Sequence, residues 1–140
     1  VSGLVRTSEA ATLALHAAAI MAGSPGPPVT ASAMADGLSA SEAHLAKVLQ
    51  RLAKAGLVTG TRGPGGGFRL ARPACEISLR EVYEAIEGQL RIEQCMLGSP
   101  VCSKPDCPLG GLFARLSDDV MQTLDGMTLE DIELPLKSVT

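Results

Sequence analysis

The chain has no tryptophan, one tyrosine and two phenylalanines among its 140 residues. A core assembled from large rings is therefore excluded. Apolar residues still make up 46% of the sequence, so packing falls to Leu, Ala, Val, Ile and Met, a set that favours a mostly helical protein. Long hydrophobic runs are also missing. The most apolar stretch, Ala10 to Ala22, is too short to span a bilayer and lacks the basic leader of a signal peptide. No membrane partner is expected, and a cytoplasmic location is the default expectation. In that compartment the four cysteines are thiols or metal ligands more readily than structural disulfides. Fingerprints of catalysis are absent as well: there is no nucleotide-binding turn, no nucleophile–base pair and no zinc-protease helix. An enzyme is not expected. The length accommodates one domain, or one domain with an added dimerisation element.

Positive charge is scarce overall, with a formal net charge of −3, but it is not evenly spread. Between Val29 and Arg72, six cations (Lys47, Arg51, Lys54, Arg62, Arg69 and Arg72) face only Asp36 and Glu42, a local balance of +4. From Pro73 to Thr140, five basic residues meet twelve acidic ones. A basic block inside an acidic chain is the footprint of a local nucleic-acid surface.

What the chain does have in abundance is glycine, and its densest use is Arg62-Gly63-Pro64-Gly65-Gly66-Gly67-Phe68. Such a run cannot continue a helix and contributes little to a core. It suits a tight hairpin tip whose backbone approaches something outside the protein. Arg62 and Arg69 flank the tip, with charge suited to phosphate or a narrow minor groove.

The rest of the chain reads as helices. Ser8 begins a first helix running to Met21, with Leu13, His16, Ala17, Ile20 and Met21 at helical spacing. Ser24-Pro25-Gly26-Pro27-Pro28 ends it. Thr30 caps a second helix, Ala31 to Gly37, with Met34 and Ala35 inward, and Gly37-Leu38-Ser39 forms a turn. Ser41, or alternatively Ser39, caps a third helix to about Ala55 that buries Leu45, Val48, Leu49 and Leu52. Leu57 to Thr61 and Gly67 to Ala71 are the strands of the hairpin. Ser78 caps a fourth helix, Leu79 to Glu87, with Val82, Tyr83 and Ile86 apolar. After an irregular stretch, a last helix spans about Leu109 to Leu124, with an apolar stripe of Leu109, Leu112, Phe113, Leu116, Val120, Met121 and Leu124. A short capped turn begins at Met127, and a loose tail is expected after Glu133.

Helix, turn, helix and glycine-rich hairpin is the order of a winged helix-turn-helix. The fold class expected is mainly α with a small β-hairpin wing, plus a long C-terminal dimerisation helix. Three segments result: residues 1–88 as the DNA-binding domain, 89–108 as a cysteine-rich loop, and 109–140 as the dimerisation helix and tail. In such folds the N-terminal half of the recognition helix meets base edges. That half offers Ser41, Ala43, His44 and Lys47, with Arg51 nearer the phosphates. Arg62, Gly65, Gly66 and Arg69 complete the DNA-binding candidates from the wing.

Cys95, Cys102 and Cys107 fall within one glycine- and proline-containing loop that can bring three thiolates together. Soft thiolates select zinc, copper(I) or iron–sulfur clusters. The paired Cys-x-x-Cys of zinc knuckles is missing, whereas Cys107-Pro108 matches the Cys-Pro that closes many ferredoxin cluster motifs. Reduced thiols without metal are the plain alternative. Cys75, distant in sequence, reads as a partly buried bystander.

Three segments carry a family resemblance: Leu45 to Val58, the wing Arg62 to Phe68, and Ile77 to Gly88. With the three cysteines and the last helix, the chain resembles the Rrf family of bacterial winged-helix regulators, of the IscR, NsrR and RirA kind, from about Leu4 to Ile132. The resemblance implies a homodimer held by the C-terminal helix and bound to a palindromic operator in double-stranded DNA. It also implies an iron–sulfur cluster, of two or four irons, on Cys95, Cys102 and Cys107, whose loss or oxidation alters DNA affinity. The chain departs from the family in two places. Gly110 stands where IscR-like members carry a ligand histidine, and Ala46 where they carry a specificity glutamate. Other members draw a carboxylate or histidine from the first helix, often that of the partner subunit; here Thr12 takes the usual carboxylate position and His16 lies one turn on. His16 is thus the candidate fourth ligand, with Glu9 and Asp106 as further options. Two other readings stay open: the same regulator using its thiols as a redox switch, and a small iron–sulfur electron-transfer subunit, which would leave the basic wing without a purpose.

Overall fold

In the computed structural model the described residues are 7–91 and 106–134. The elements, in order, are α1 (Glu9–Ala22), α2 (Ala31–Leu38), α3 (Glu42–Lys54), β1 (Val58–Thr61), β2 (Gly67–Leu70), α4 (Leu79–Glu87) and α5 (Pro108–Gly126). Single 3-10 turns follow at Ala74–Glu76 and Leu129–Ile132. The expected fold class, mainly helical with one hairpin wing, is what the chain adopts.

Helix starts obey their caps. Ser8, Thr30, Ser41 and Ser78 each accept a backbone N–H three residues on, satisfying one of the donors that a helix start leaves unpaired. Ser41, not Ser39, caps α3. Ser39 instead ends α2 in the left-handed region (φ 51°), so that helix runs one residue past Gly37. At α4 the cap is reciprocal: Ser78 takes the Glu81 amide, and the Glu81 carboxylate takes the Ser78 amide at 3.0 Å. Arg72 adds a 2.6 Å ion pair to the same carboxylate.

Burial acts on Glu81 to raise its pKa, but the Ser78 and Arg72 contacts outweigh it and hold the carboxyl below its ordinary 4.5. A lowered folded-state pKa stabilises the protein above the ordinary value, and that contribution is lost as pH falls through the lowered one. Glu81→Gln is therefore expected to destabilise by about 0.5 kcal/mol at pH 7, a figure reduced by solvent screening of this exposed group, and by less at pH 3. Urea denaturation of both proteins at the two pH values checks this.

The core is wholly apolar: no polar or charged residue is buried among those described. Ala11, Ala14, Ala17 and Ala18 of α1 are at most 1% exposed, and these small side chains let α3 and α4 approach its axis closely. Leu45, Val48, Leu49 and Leu52 of α3, together with Met34 and Ala35 of α2, fill the centre as expected. His16, which shares the helical spacing of the α1 stripe, is exposed instead. Past α5 the chain returns to this core. Leu129 is fully buried, its amide donates to the Ile77 carbonyl, and the Leu79 amide donates to the Met127 carbonyl. The Leu134 amide, in the expected loose tail, reaches the Ala19 carbonyl at 3.0 Å.

Candidate nucleic-acid interface and cysteine site

The wing is pinned from two sides. β1 and β2 pair antiparallel, with Val58 opposite Leu70 and Thr61 opposite Gly67. Across its other edge, β2 exchanges two backbone hydrogen bonds with Val29, through Phe68 (2.7 and 2.9 Å). This third strand edge has no signal in the sequence, because a single residue after Pro27-Pro28 shows no alternation. It explains one glycine: a Cβ on Gly67 would lie 2.6 Å from the Val29 carbonyl oxygen. Gly66 is confined within the tip, where a Cβ would meet the Thr61 carbonyl oxygen at 2.3 Å. Gly65 has open space around it and a φ of +76°, a conformation glycine adopts readily. Arg62 and Arg69 are both exposed on this scaffold.

On α3, Ala43, Lys47 and Gln50 are exposed, and His44 and Ala46 are half-buried. Ser41 Oγ accepts the His44 amide at 3.3 Å and keeps its own proton for donation outward. Glu9, from the first turn of α1, stands 3.6 Å from His44 Nδ1, a neighbour that sequence distance hides. Arg51 is engaged within the fold, its Nη2 donating to the Ile86 carbonyl at 2.5 Å. No sequence pattern signals that partner, since the acceptor is backbone.

Of the cysteines, Cys95 and Cys102 lie outside the described residues. Cys107 occupies the N-cap of α5, half-buried, with a free thiol that makes no capping hydrogen bond. Pro108 follows at the first helical position, where its missing N–H costs nothing. Cys75 is exposed rather than partly buried. His16 Nδ1 is 2.7 Å from the Thr12 carbonyl. A carbonyl can only accept, so Nδ1 donates this bond and Nε2 is the ring nitrogen left for another partner. No three His, Cys, Asp or Glu side chains converge among the described residues. His16, Glu9, Asp106 and Cys107 are thus not brought together there.

Along α5, Leu109, Leu112, Leu116 and Val120 are 38–52% exposed. At 100° per residue they form one stripe, with Asp118 and Gln122 on the opposite side. Phe113, Met121 and Leu124 are half-buried, and Leu124 packs against the core. Arg80 anchors the far end of the helix, hydrogen-bonded to Glu84 within α4 and to Asp125 at 2.7 Å. The Glu84 contact, then Asp125, raises its guanidinium pKa further. Among the described residues, no helix is long and apolar enough to cross a membrane.

The model of the Rrf2 family, described as iron-dependent transcriptional regulators, matches residues 7–133. The chain belongs to the Rrf2 family. This family is one of regulators, not enzymes. Among relatives of this Rrf2 chain, the aau3 protein of Rhizobium meliloti (strain 1021) is 36% identical over 94 residues, covering 66% of the chain and 61% of aau3. The transcriptional regulator IscR of Photorhabdus laumondii is 33% identical over 106 residues, covering 75% of the chain and 64% of that protein. The chain thus spans somewhat under two thirds of either relative. CymR of B. subtilis, the global cysteine regulator, superposes with a TM-score of 0.77 at 26% identity, over 91% of this chain and 95% of CymR. IscR of T. potens shares the fold, with a TM-score of 0.72 at 24% identity over 91% and 85% of the two chains.

Proposed function

We propose that this Rrf2 member is a homodimeric transcriptional regulator that binds a palindromic operator and adjusts its affinity through an iron–sulfur cluster. The observation that carries the DNA-binding reading is the pairing of an exposed α3 N-terminal face with a glycine wing bearing two exposed arginines. Ala43, His44 and Lys47 meet base edges in the major groove, and Ser41 donates to phosphate. Arg62 enters the minor groove, Arg69 neutralises phosphate, and Gly65 and Gly66 let the backbone come close. The three segments take the roles read from the sequence: residues 1–88 bind DNA, 89–108 hold the cluster and 109–140 carry the dimer helix.

Cys95, Cys102 and Cys107 are the cluster ligands in this reading, with His16 Nε2 as the fourth. The donor set suits the group: thiolates are soft ligands, the Cys107 thiol is free, and His16 has one nitrogen committed and one available. When bound, the cluster supplies a centre that iron supply, oxidants or nitric oxide can alter. The chain's part is to hold it at the start of α5, so that its state bears on the spacing of the two reading heads.

The test is a visible spectrum with iron and sulfide assays on protein purified without oxygen. Brown protein with matching iron and sulfide is expected, and Cys107→Ala should lose both while keeping its helical circular dichroism. A second reading, the thiol switch, draws on the free, half-buried Cys107. Colourless, metal-free protein whose DNA affinity changes on mild oxidation would select it over the cluster.

A further inference from the structure

We propose that Arg51 is a positioning residue for DNA reading, clamping the recognition helix to the last turn of α4 instead of neutralising a phosphate. The proposal rests on the DNA-binding reading above and deepens it. The α3 face that enters the core consists of Leu45, Val48, Leu49 and Leu52, all at most 2% exposed. Apolar packing of this kind holds the helix in place but is weakly directional, and no polar group lies buried in the described core to fix its rotation. Direction has to come from the edges, where Arg51 meets the end of α4 and His44 meets Glu9 of α1.

Near the C-terminal end of α3, Arg51 Nη2 donates to the Ile86 carbonyl at 2.5 Å. Glu84 is already satisfied by the Gly88 amide, whereas Ile86 belongs to the last turn, whose carbonyls have no intrahelical donor. A guanidinium there both caps α4 and suits the negative end of its dipole. At the other end of α3, His44 faces Glu9, and Ser8, next to Glu9, donates from its hydroxyl to the Glu87 carboxylate. The C-terminal end of the recognition helix is thus tied directly to Ile86, and its N-terminal end stands beside Glu9, whose neighbour Ser8 is bonded to the adjacent Glu87. Immediately beyond them the chain turns at Gly88, whose φ of +82° disfavours any other residue. The angle at which α3 presents His44 and Lys47 is therefore set by the last turn of α4.

The experiment uses a short duplex selected from a randomised pool by the wild-type dimer, with a scrambled duplex of equal length, in anisotropy titrations over a salt series. Arg51→Ala is expected to weaken the selected duplex about tenfold, the scale of a lost hydrogen bond to a charged donor, and to leave the scrambled duplex and the salt slope unchanged. Gly88→Ala, which adds no side chain able to reach DNA but strains the α4 exit, is expected to give the same signature. The double variant should then be no worse than either alone. A fall of both duplexes together, with the slope reduced by about 0.9, would make Arg51 a phosphate contact and overturn the proposal. Unchanged affinity for both would overturn it too. Should Arg51→Ala not fold, Gly88→Ala decides by the same criteria. If the wild-type protein selects no duplex, the DNA-binding reading itself fails and the clamp falls with it.

Discussion

Leu116→Glu is expected to turn a dimer into a monomer that no longer holds two reading heads together. Leu116 sits mid-stripe on α5, 38% exposed, between Leu112 and Val120. Four neighbouring large apolar side chains left open along one helix face form the kind of patch that marks a protein–protein contact. In a two-fold interface each change counts twice. Losing the burial of what two leucines still expose costs about 1 to 2 kcal/mol, or roughly one decade in the dimerisation constant, before the larger cost of burying carboxylates is added. Sedimentation velocity at micromolar concentration should show the shift, and operator affinity should fall with it. Gln122→Glu, on the opposite face of the same helix, is the control and should sediment as wild type. An unchanged profile for Leu116→Glu would place the interface elsewhere.

Gly67→Ala should remove DNA binding while the helices stay folded. The position has a φ of +144°, and a Cβ there would sit 2.6 Å from the Val29 carbonyl oxygen and 2.7 Å from its carbon. Both obstacles are backbone, so no side-chain rotation relieves them. Either β2 separates from Val29, losing two hydrogen bonds, or the strand shifts and carries Arg69 with it. Backbone strain and lost hydrogen bonds of this kind cost on the order of 2 to 4 kcal/mol, enough to release the wing from its edge. The expected result is near-wild-type circular dichroism with operator affinity well below that of the wild type. Gly65→Ala should have a smaller effect, because the space around it is open and only its φ resists. Equal affinity of Gly67→Ala and wild type would show that the wing does not touch DNA.

Much of this molecule was legible in one dimension because its signals are local. Ser8, Thr30, Ser41 and Ser78 announce helix starts through oxygen atoms that reach only three residues ahead. The 3.6-residue period sorts Leu45, Val48, Leu49 and Leu52 to one face without reference to the rest of the chain. The glycine tip is likewise a local necessity of its turn. His16 shows the limit: its spacing matches the buried stripe of α1, yet its own backbone contact to Thr12 and its exposure set it apart. Cys75 likewise turned out exposed, since a residue at the end of a hairpin has no periodicity to read.

The sequence by itself determined which segments are helices, where the wing turns and which faces are apolar, since each depends on neighbours within about four residues. Tertiary structure alone decided what those faces and charges meet. Pairing Val29 with Phe68, Glu9 with His44, and Arg51 with the Ile86 carbonyl joins positions that are 39, 35 and 35 residues apart. Such partners depend on how the alanine face of α1 draws α3 and α4 together. A backbone carbonyl that accepts such a bond is the same in every residue type, so only folding determines which one is within reach.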